Sequence, residues 1–323
     1  MNIPKSEKVY TFDLDGNLLY TDMPIVLEKE KPCWTRESLE VSVSDYDHNP
    51  KYKTKEYRNP DNNPEKAFVH ARDFHQSKSH RWTQGFQEDI KNALEEGKVW
   101  SYFERYIQQV LIPAKMFSIN TARGQVPDNI KMAIKKIIDN YLTPEQRQTM
   151  VNNIIIKYHL PSDWKHNRLI WWYLDKICAF LPISNEEVKK ILRIPDTMSS
   201  AQAKTVAQDW YINFVSDIGE QYNLFDKNLP IKMWFSDDGY DNIKEMMTFF
   251  LSKQEENNYP YNKFNYRLYY TGHDIDMVEK NISQELINML WSSHKVIVEQ
   301  KKTWLITDID EVIKEYSALK IML

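Results

Sequence analysis

The chain reads as an α/β protein with a mostly parallel central sheet, and three observations predict this. Short apolar runs rich in β-branched and aromatic residues occur at 9–12, 114–120 and 231–235, without the period of a helix. Each runs into a polar turn: Asp13-Leu-Asp-Gly, Thr121-Ala-Arg-Gly and Ser236-Asp-Asp-Gly. Stretches of helical period lie between them, the alternation expected of strands joined by helical crossovers. In such sheets ligands sit beyond the carboxyl ends of the strands. The residues that close these runs are therefore the candidates for chemistry.

Val9, Tyr10, Thr11 and Phe12 form the first strand, stopped by Gly16 and Asn17. Residues two apart on an extended chain point the same way, so Asp13 and Asp15 either address one ligand or merely end the strand and cap its turn. As a ligand pair they raise each other's pKa unless a cation neutralises them, which points to a divalent metal. After Asp22 the chain is polar to about residue 66, and Pro24, Pro32, Pro50, Pro60 and Pro64 exclude a long helix. A short strand is expected over 40–44. Phe86, Ile90, Ala93 and Leu94 then fall at helical spacing, Gly97 ends that helix, and 102–111 predicts another. His70, His75 and His80 sit five apart, on different helical faces, and read as surface or substrate-side histidines rather than a metal set.

The second strand leads into Thr121 and Arg123. Exposed N–H groups at a helix start favour an anion, and a hydroxyl adds one donor; Arg123 reaches a phosphate or is a solvated turn residue. Pro127 and Asp128 open a helix with Ile130, Ala133, Ile134, Ile137 and Ile138 on one stripe. Residues 150–159 read as a third strand, with a helix the close alternative. From 161 to 198 the pattern is helical, and Leu169, Ile170, Trp171, Trp172, Leu174, Ile177, Phe180 and Leu181 call for burial on more than one side. Asn185, Glu186 and Glu187 begin a further helix that Pro195 closes. A helix over 200–222 carries Lys204, and 231–236 is a strand leading to Asp237, Asp238 and Asp241 at a helix start, where Asp is also a common cap. Tyr266 to Tyr270 gives a fifth strand and two helices follow. Asp308 and Asp310 read as a helix cap.

These residues together resemble the haloacid dehalogenase-like superfamily, most of whose members are Mg²⁺-dependent phosphatases and phosphotransferases. Phe12 to Asn17 matches its first motif, Thr121 its second, Lys204 its lysine, with Lys227 and Lys232 as rivals, and Asp237 with Asp241 its fourth, with Asp238 a competing ligand. The resemblance implies a Rossmann-like three-layer sandwich, with a core of 1–22, 106–160 and 200–323, a cap-type insertion over 23–105, and an all-helical insertion over 161–199. It implies Asp13 as nucleophile, Asp15 as general acid and base, and Thr121, Arg123 and Lys204 on the phosphoryl group. Mg²⁺ would be held by Asp13, the Asp15 carbonyl, Asp237 and Asp241. An acid at position 15 argues against a dehalogenase.

Composition narrows the partners little. A net charge of −4 and a pI near 6.1 give no overall attraction to nucleic acid or an anionic membrane. No apolar leader or membrane span is visible, so a cytosolic protein is expected. Cys33 and Cys178 read as two reduced thiols. Abundant Asn, Lys, Ile and Tyr suggest an AT-rich genome, that of a phage or of a low-GC bacterium. The expected substrate is a phosphorylated small molecule, a nucleotide or a nucleic-acid end, the last two favoured mildly by Lys78, His80, Arg81 and Trp82. The competing reading is a non-catalytic protein of the same fold that binds a protein partner through its aromatic-rich insertion.

Overall fold

The computed structural model describes residues 7–19, 21, 23–30, 36–42, 49–62, 64–71, 81–99, 103–271 and 297–300. Nine strands are described: β1 (Lys8–Phe12), β2 (Pro24–Glu30), β3 (Arg36–Ser42), β4 (Tyr57–Arg58), β5 (Phe117–Thr121), β6 (Ala179–Pro182), β7 (Ile231–Asp237), β8 (Phe264–Tyr270) and β9 (Ile297–Gln300). Seven longer helices accompany them: α1 (Arg81–Glu95), α2 (Pro127–Tyr141), α3 (Pro144–Tyr158), α4 (His166–Lys176), α5 (Glu186–Leu192), α6 (Ser200–Gln221) and α7 (Tyr240–Glu256). A turn of α-helix, Phe103–Tyr106, continues as a π-helix, Ile107–Leu111.

Six strands form one sheet in the order β6-β5-β1-β7-β8-β9, and every pairing in it is parallel. From β1 the chain first moves outward through β5 to β6, then returns to place β7 on the other side of β1. The strand order therefore reverses between β1 and β7, and in open parallel sheets ligands bind at the carboxyl ends of the strands at such a reversal. The arrangement is α/β and compatible with a Rossmann-like sandwich. α6 and α7 pack on each other, α6 against β5 and α7 against β7 and β8, while α2, α3 and α4 form a second group beside β6.

Burial explains the strands. Tyr10 and Phe12 are buried together with Val9, as expected of a strand in the middle of a parallel sheet. The stripe Ile130, Ala133, Ile134, Ile137 and Ile138 of α2 is fully buried. Residues 23–71 contribute a separate antiparallel sheet, β3-β2-β4, over a small core of Ile25, Leu27, Val41, Tyr52 and Ala67. The short strand expected over 40–44 is the end of β3.

Two expectations are corrected. The third strand expected over 150–159 is the helix α3, opened by a capping box in which Thr143 and Gln146 each bond the other's backbone N–H. Met150, Val151, Ile154 and Tyr158 are its buried face, a spacing that a short apolar run does not distinguish from a strand. The segment 161–199 is also not all-helical, because Ala179–Pro182 is the edge strand of the main sheet, bonded to β5 from Ser118↔Ala179 to Thr121↔Pro182. Its tryptophans serve the core: Trp172 meets Tyr158 and Tyr222 at 5.6 and 5.9 Å between ring centroids, and Trp171 packs on the same cluster. Cys178 is a buried free thiol. Cys33, His75, His80, Lys78, Asp308, Asp310 and the final helices lie outside the described residues, as do the side chains of Arg81 and Trp82.

At the amino end of the sheet, Glu7 bonds Lys115 at 2.7 Å and also pairs with Lys157. Burial raises the Glu7 carboxyl, but Lys157 and then Lys115 overcome it and hold it below its ordinary value. Lys157 is itself lowered, by burial first and by Lys115, since two lysines share one carboxylate. A lowered carboxyl stabilises the fold above the ordinary glutamate range, and the gain disappears as the pH falls through the lowered value. Glu7→Gln is expected to cost about 1–3 kcal/mol in chemical denaturation at pH 7, because it leaves two half-buried lysines facing each other. The deficit should vanish in acid.

Candidate functional site

At the reversal the turn after β1, the turn after β7 and the second turn of α6 meet. Asp13 continues β1 by one bond, its N–H donating to the Ser236 carbonyl at 3.0 Å. The turn that follows is fastened by Asn17, fully buried, which accepts from Ser236 Oγ at 2.9 Å and donates to Thr271 Oγ1 at 2.8 Å. Gly16 has φ +67°, and a Cβ there would lie 2.1 Å from Asp238 Oδ2. A side chain there would strain the left-handed backbone and displace the Asp238 carboxylate. The Asp13 and Asp238 turns thereby meet face to face.

Lys204 joins them. It is 1% exposed, and its ammonium lies 2.9 Å from Asp13 Oδ2 and 2.6 Å from Asp237 Oδ2. A capping box of Ser199 and Gln202 starts α6, and Asn120 at the end of β5 donates to the Lys204 carbonyl at 2.9 Å. Of its rivals, Lys227 is exposed and Lys232 lies at the opposite end of β7. Asp237 is completely buried, and its Oδ1 accepts from Gly239 N and Asn242 Nδ2, both at 2.8 Å.

Single oxygens of Asp13, Asp237 and Asp238 lie within 4.8 Å of one another. Three hard carboxylates suit Mg²⁺ or Ca²⁺. With Asp15, four carboxylates face Lys204 and Arg123, leaving two uncompensated negative charges when all are ionised, the charge of one divalent cation. Asp241 is not in this group: it is exposed in the first turn of α7, and the neighbouring Asp238 takes its place in the cluster. The two strained carboxyls show the crowding. Asp13 is pushed up to about 6 by burial, with Lys204 opposing and Asp237 and Asp15 adding to the rise. Burial, then Asp237 and Asp13, push Asp238 well above the ordinary range. Burial works against the Lys204 charge, yet Asp13 and Asp237 raise its pKa.

Asp15 belongs to a different pair. Arg123, 2% exposed, grips it with two bonds, Nε to Oδ2 at 2.5 Å and Nη2 to Oδ1 at 2.7 Å. Thr21 Oγ1 donates to Oδ1 at 2.5 Å and accepts from Arg123 Nη2 at 2.8 Å. Burial raises Asp15, but Arg123 first and Thr21 next hold it below the ordinary carboxylate value. Arg123 is therefore neither a solvated turn residue nor free. Thr121, 1% exposed, ends β5, and its Oγ1 accepts from Arg123 N at 3.4 Å. Register places Ile119 opposite Phe12, so Thr121 extends past the end of β1, level with the turn that carries Asp13 and Asp15.

Sequence reasoning missed Asn17 as a clamp, Thr21, Phe86 and Asn242. Asn17 closes the first motif and Asn242 lies five residues beyond Asp237, so both stood close enough to a motif to be found, whereas nothing local marks Phe86 as part of the site. No family model, curated protein or solved structure matches the chain.

The raised carboxyls fix the sign of a stability test. A folded state that keeps protons the unfolded chain has released loses stability as the pH rises from the ordinary aspartate range through about 6. Without divalent metal, melting should therefore soften across that interval. Asp238→Asn is expected to raise the metal-free melting temperature at pH 7.5 by about 2–4 °C, while reducing the further rise produced by added Mg²⁺. Calorimetry with and without the ion checks both.

Proposed function

We propose that the protein is a Mg²⁺-dependent phosphohydrolase of the haloacid dehalogenase-like type, acting on a phosphomonoester through an aspartyl-phosphate. The observation that carries this reading is the meeting of Asp13, Asp237 and Asp238 around the Lys204 ammonium, beyond the strands where the sheet order reverses. An oxygen of Asp13 attacks phosphorus, the bond to the ester oxygen breaks, and the leaving oxygen takes a proton from Asp15. Asp15 then removes a proton from water, whose oxygen attacks the phosphoryl group. The bond to Asp13 breaks and inorganic phosphate forms. Asp15 must carry a proton in the first half and not in the second. The Arg123 fork favours the second, so substrate binding has to supply the difference.

Lys204 orients the Asp13 carboxylate and compensates charge on the phosphoryl oxygens, and the Thr121 hydroxyl with the Ala122 N–H donates to them. A divalent ion on Asp13, Asp237, Asp238 and the Asp15 carbonyl would supply further positive charge to the same oxygens. Substrates within this reading are nucleotides, phosphorylated small molecules and nucleic-acid ends. The insertion that contains α1 reaches the site through Phe86, 4.8 Å beneath the Arg123 guanidinium.

Phosphate release from an aryl phosphate, with and without Mg²⁺, tests the proposal. Native protein should be active only with the ion, and Asp13→Asn should lose about 10³-fold or more of that rate. Full activity of Asp13→Asn would sink the mechanism.

A further inference from the structure

We propose that Arg123 is the positioning residue for the Asp15 carboxylate and that Phe86, from the first insertion, locks Arg123 in that role. This rests on the phosphohydrolase reading. It makes the insertion part of the reacting apparatus as well as its cover.

A carboxylate offers about four lone-pair sites. Three of those on Asp15 are taken: Oδ1 accepts from Arg123 Nη2 at 2.7 Å and Thr21 Oγ1 at 2.5 Å, and Oδ2 accepts from Arg123 Nε at 2.5 Å. One site is left, on Oδ2. That oxygen is then the one that gives a proton to the leaving oxygen and later takes one from water. Its direction is set by the guanidinium plane, because a two-bond fork holds the carboxylate coplanar with the arginine.

The plane is set in turn by α1. The Phe86 ring lies 4.8 Å from the guanidinium carbon, and Phe86 and Arg123 are 3% and 2% exposed. The contact is not isolated. Gly124 N donates to the Ala71 carbonyl at 2.7 Å, Gln125 Nε2 to the His70 carbonyl at 3.2 Å, and Gln87 Nε2 to the Asn129 carbonyl at 2.8 Å. These bonds lace the insertion to the segment that carries Arg123. Arg123 Nη1 is buried without a partner among the described residues, which defines the competing role: Nη1 as a direct donor to the substrate phosphate. The two roles differ in what they do to kinetics.

The experiment compares two phosphate monoesters at saturating Mg²⁺, one with an acidic nitrophenol leaving group and one with an alkyl alcohol. An alkoxide needs the proton from Asp15, whereas nitrophenolate leaves almost unaided. Arg123→Lys, which keeps the charge and loses the fork, should lower kcat/KM, which reports the steps through departure of the leaving group, by about 10²-fold on the alkyl ester and by less than about tenfold on the nitrophenyl ester. Phe86→Leu and Thr21→Val should show the same selectivity at smaller size, and they carry the test if circular dichroism shows Arg123→Lys unfolded. Equal losses on both esters, or a raised KM with kcat unchanged, would overturn the proposal, the second by making Arg123 a phosphate ligand. Failure of the underlying reading looks different: the native protein would then release no phosphate from either ester in an Asp13-dependent way, and the positioning role would fall with it.

Discussion

A lysine ammonium buried between two carboxylates is the constraint on which the rest of the structure depends. Placing Lys204 at 1% exposure against Asp13 and Asp237 requires that β1, β7 and α6 end within a few ångströms of one another. Desolvating three charges costs several kcal/mol each, and only good geometry offsets it. That geometry is over-determined. Asn17 binds the first turn to the ends of β7 and β8, Asn242 and Gly239 hold Asp237, and Asn120 holds the backbone of Lys204. A site with this many fixed partners reorganises little when a ligand arrives, which is what charge stabilisation in a transition state requires.

Around that lysine the charges divide into two populations. Asp13, Asp237 and Asp238 crowd one side, and burial first, with their mutual repulsion added, leaves Asp13 and Asp238 reluctant to ionise. Asp15 lies one residue beyond Leu14 yet is withdrawn from the crowd by Arg123 and Thr21, which keep it charged. Two carboxyls so close in sequence thus have opposed environments, the condition under which they take different roles in one reaction. The arginine from the β5 turn creates that difference, overcoming at Asp15 the burial that raises both carboxyls.

The peripheral parts divide in a comparable way. The β2–β4 sheet has its own small apolar core, whereas Phe86 of α1 belongs to the core of the main sheet and packs on Arg123. The tryptophans of α4 are spent on internal contacts with Tyr158 and Tyr222. Aromatic abundance in this stretch therefore reflects the closure of a helix onto its neighbours.

Much of the frame was legible in the sequence because local signals agree with the fold. The strands β1, β5, β7 and β8 announce themselves by β-branched and aromatic runs ending in turn residues, and α2 by its isoleucine stripe behind Pro127. Asp13, Asp15, Lys204 and Asp237 were legible for the same reason: each stands beside a strand end or a helix start. What remained hidden was nonlocal. The apolar runs at 150–159 and 179–182 satisfy helix and strand alike, and only a capping box in one case and an open edge of β5 in the other decides between them. The choice of Asp238 over Asp241 depends on how the chain leaves β7 against Gly16, and the capture of Asp15 by Arg123 joins residues 108 apart in sequence. By itself the sequence determined which residue types stand at the carboxyl ends of the strands. Which of them pair with Arg123, and which crowd together around Lys204, was decided by tertiary packing, because burial and distance between charges exist only once the sheet has closed.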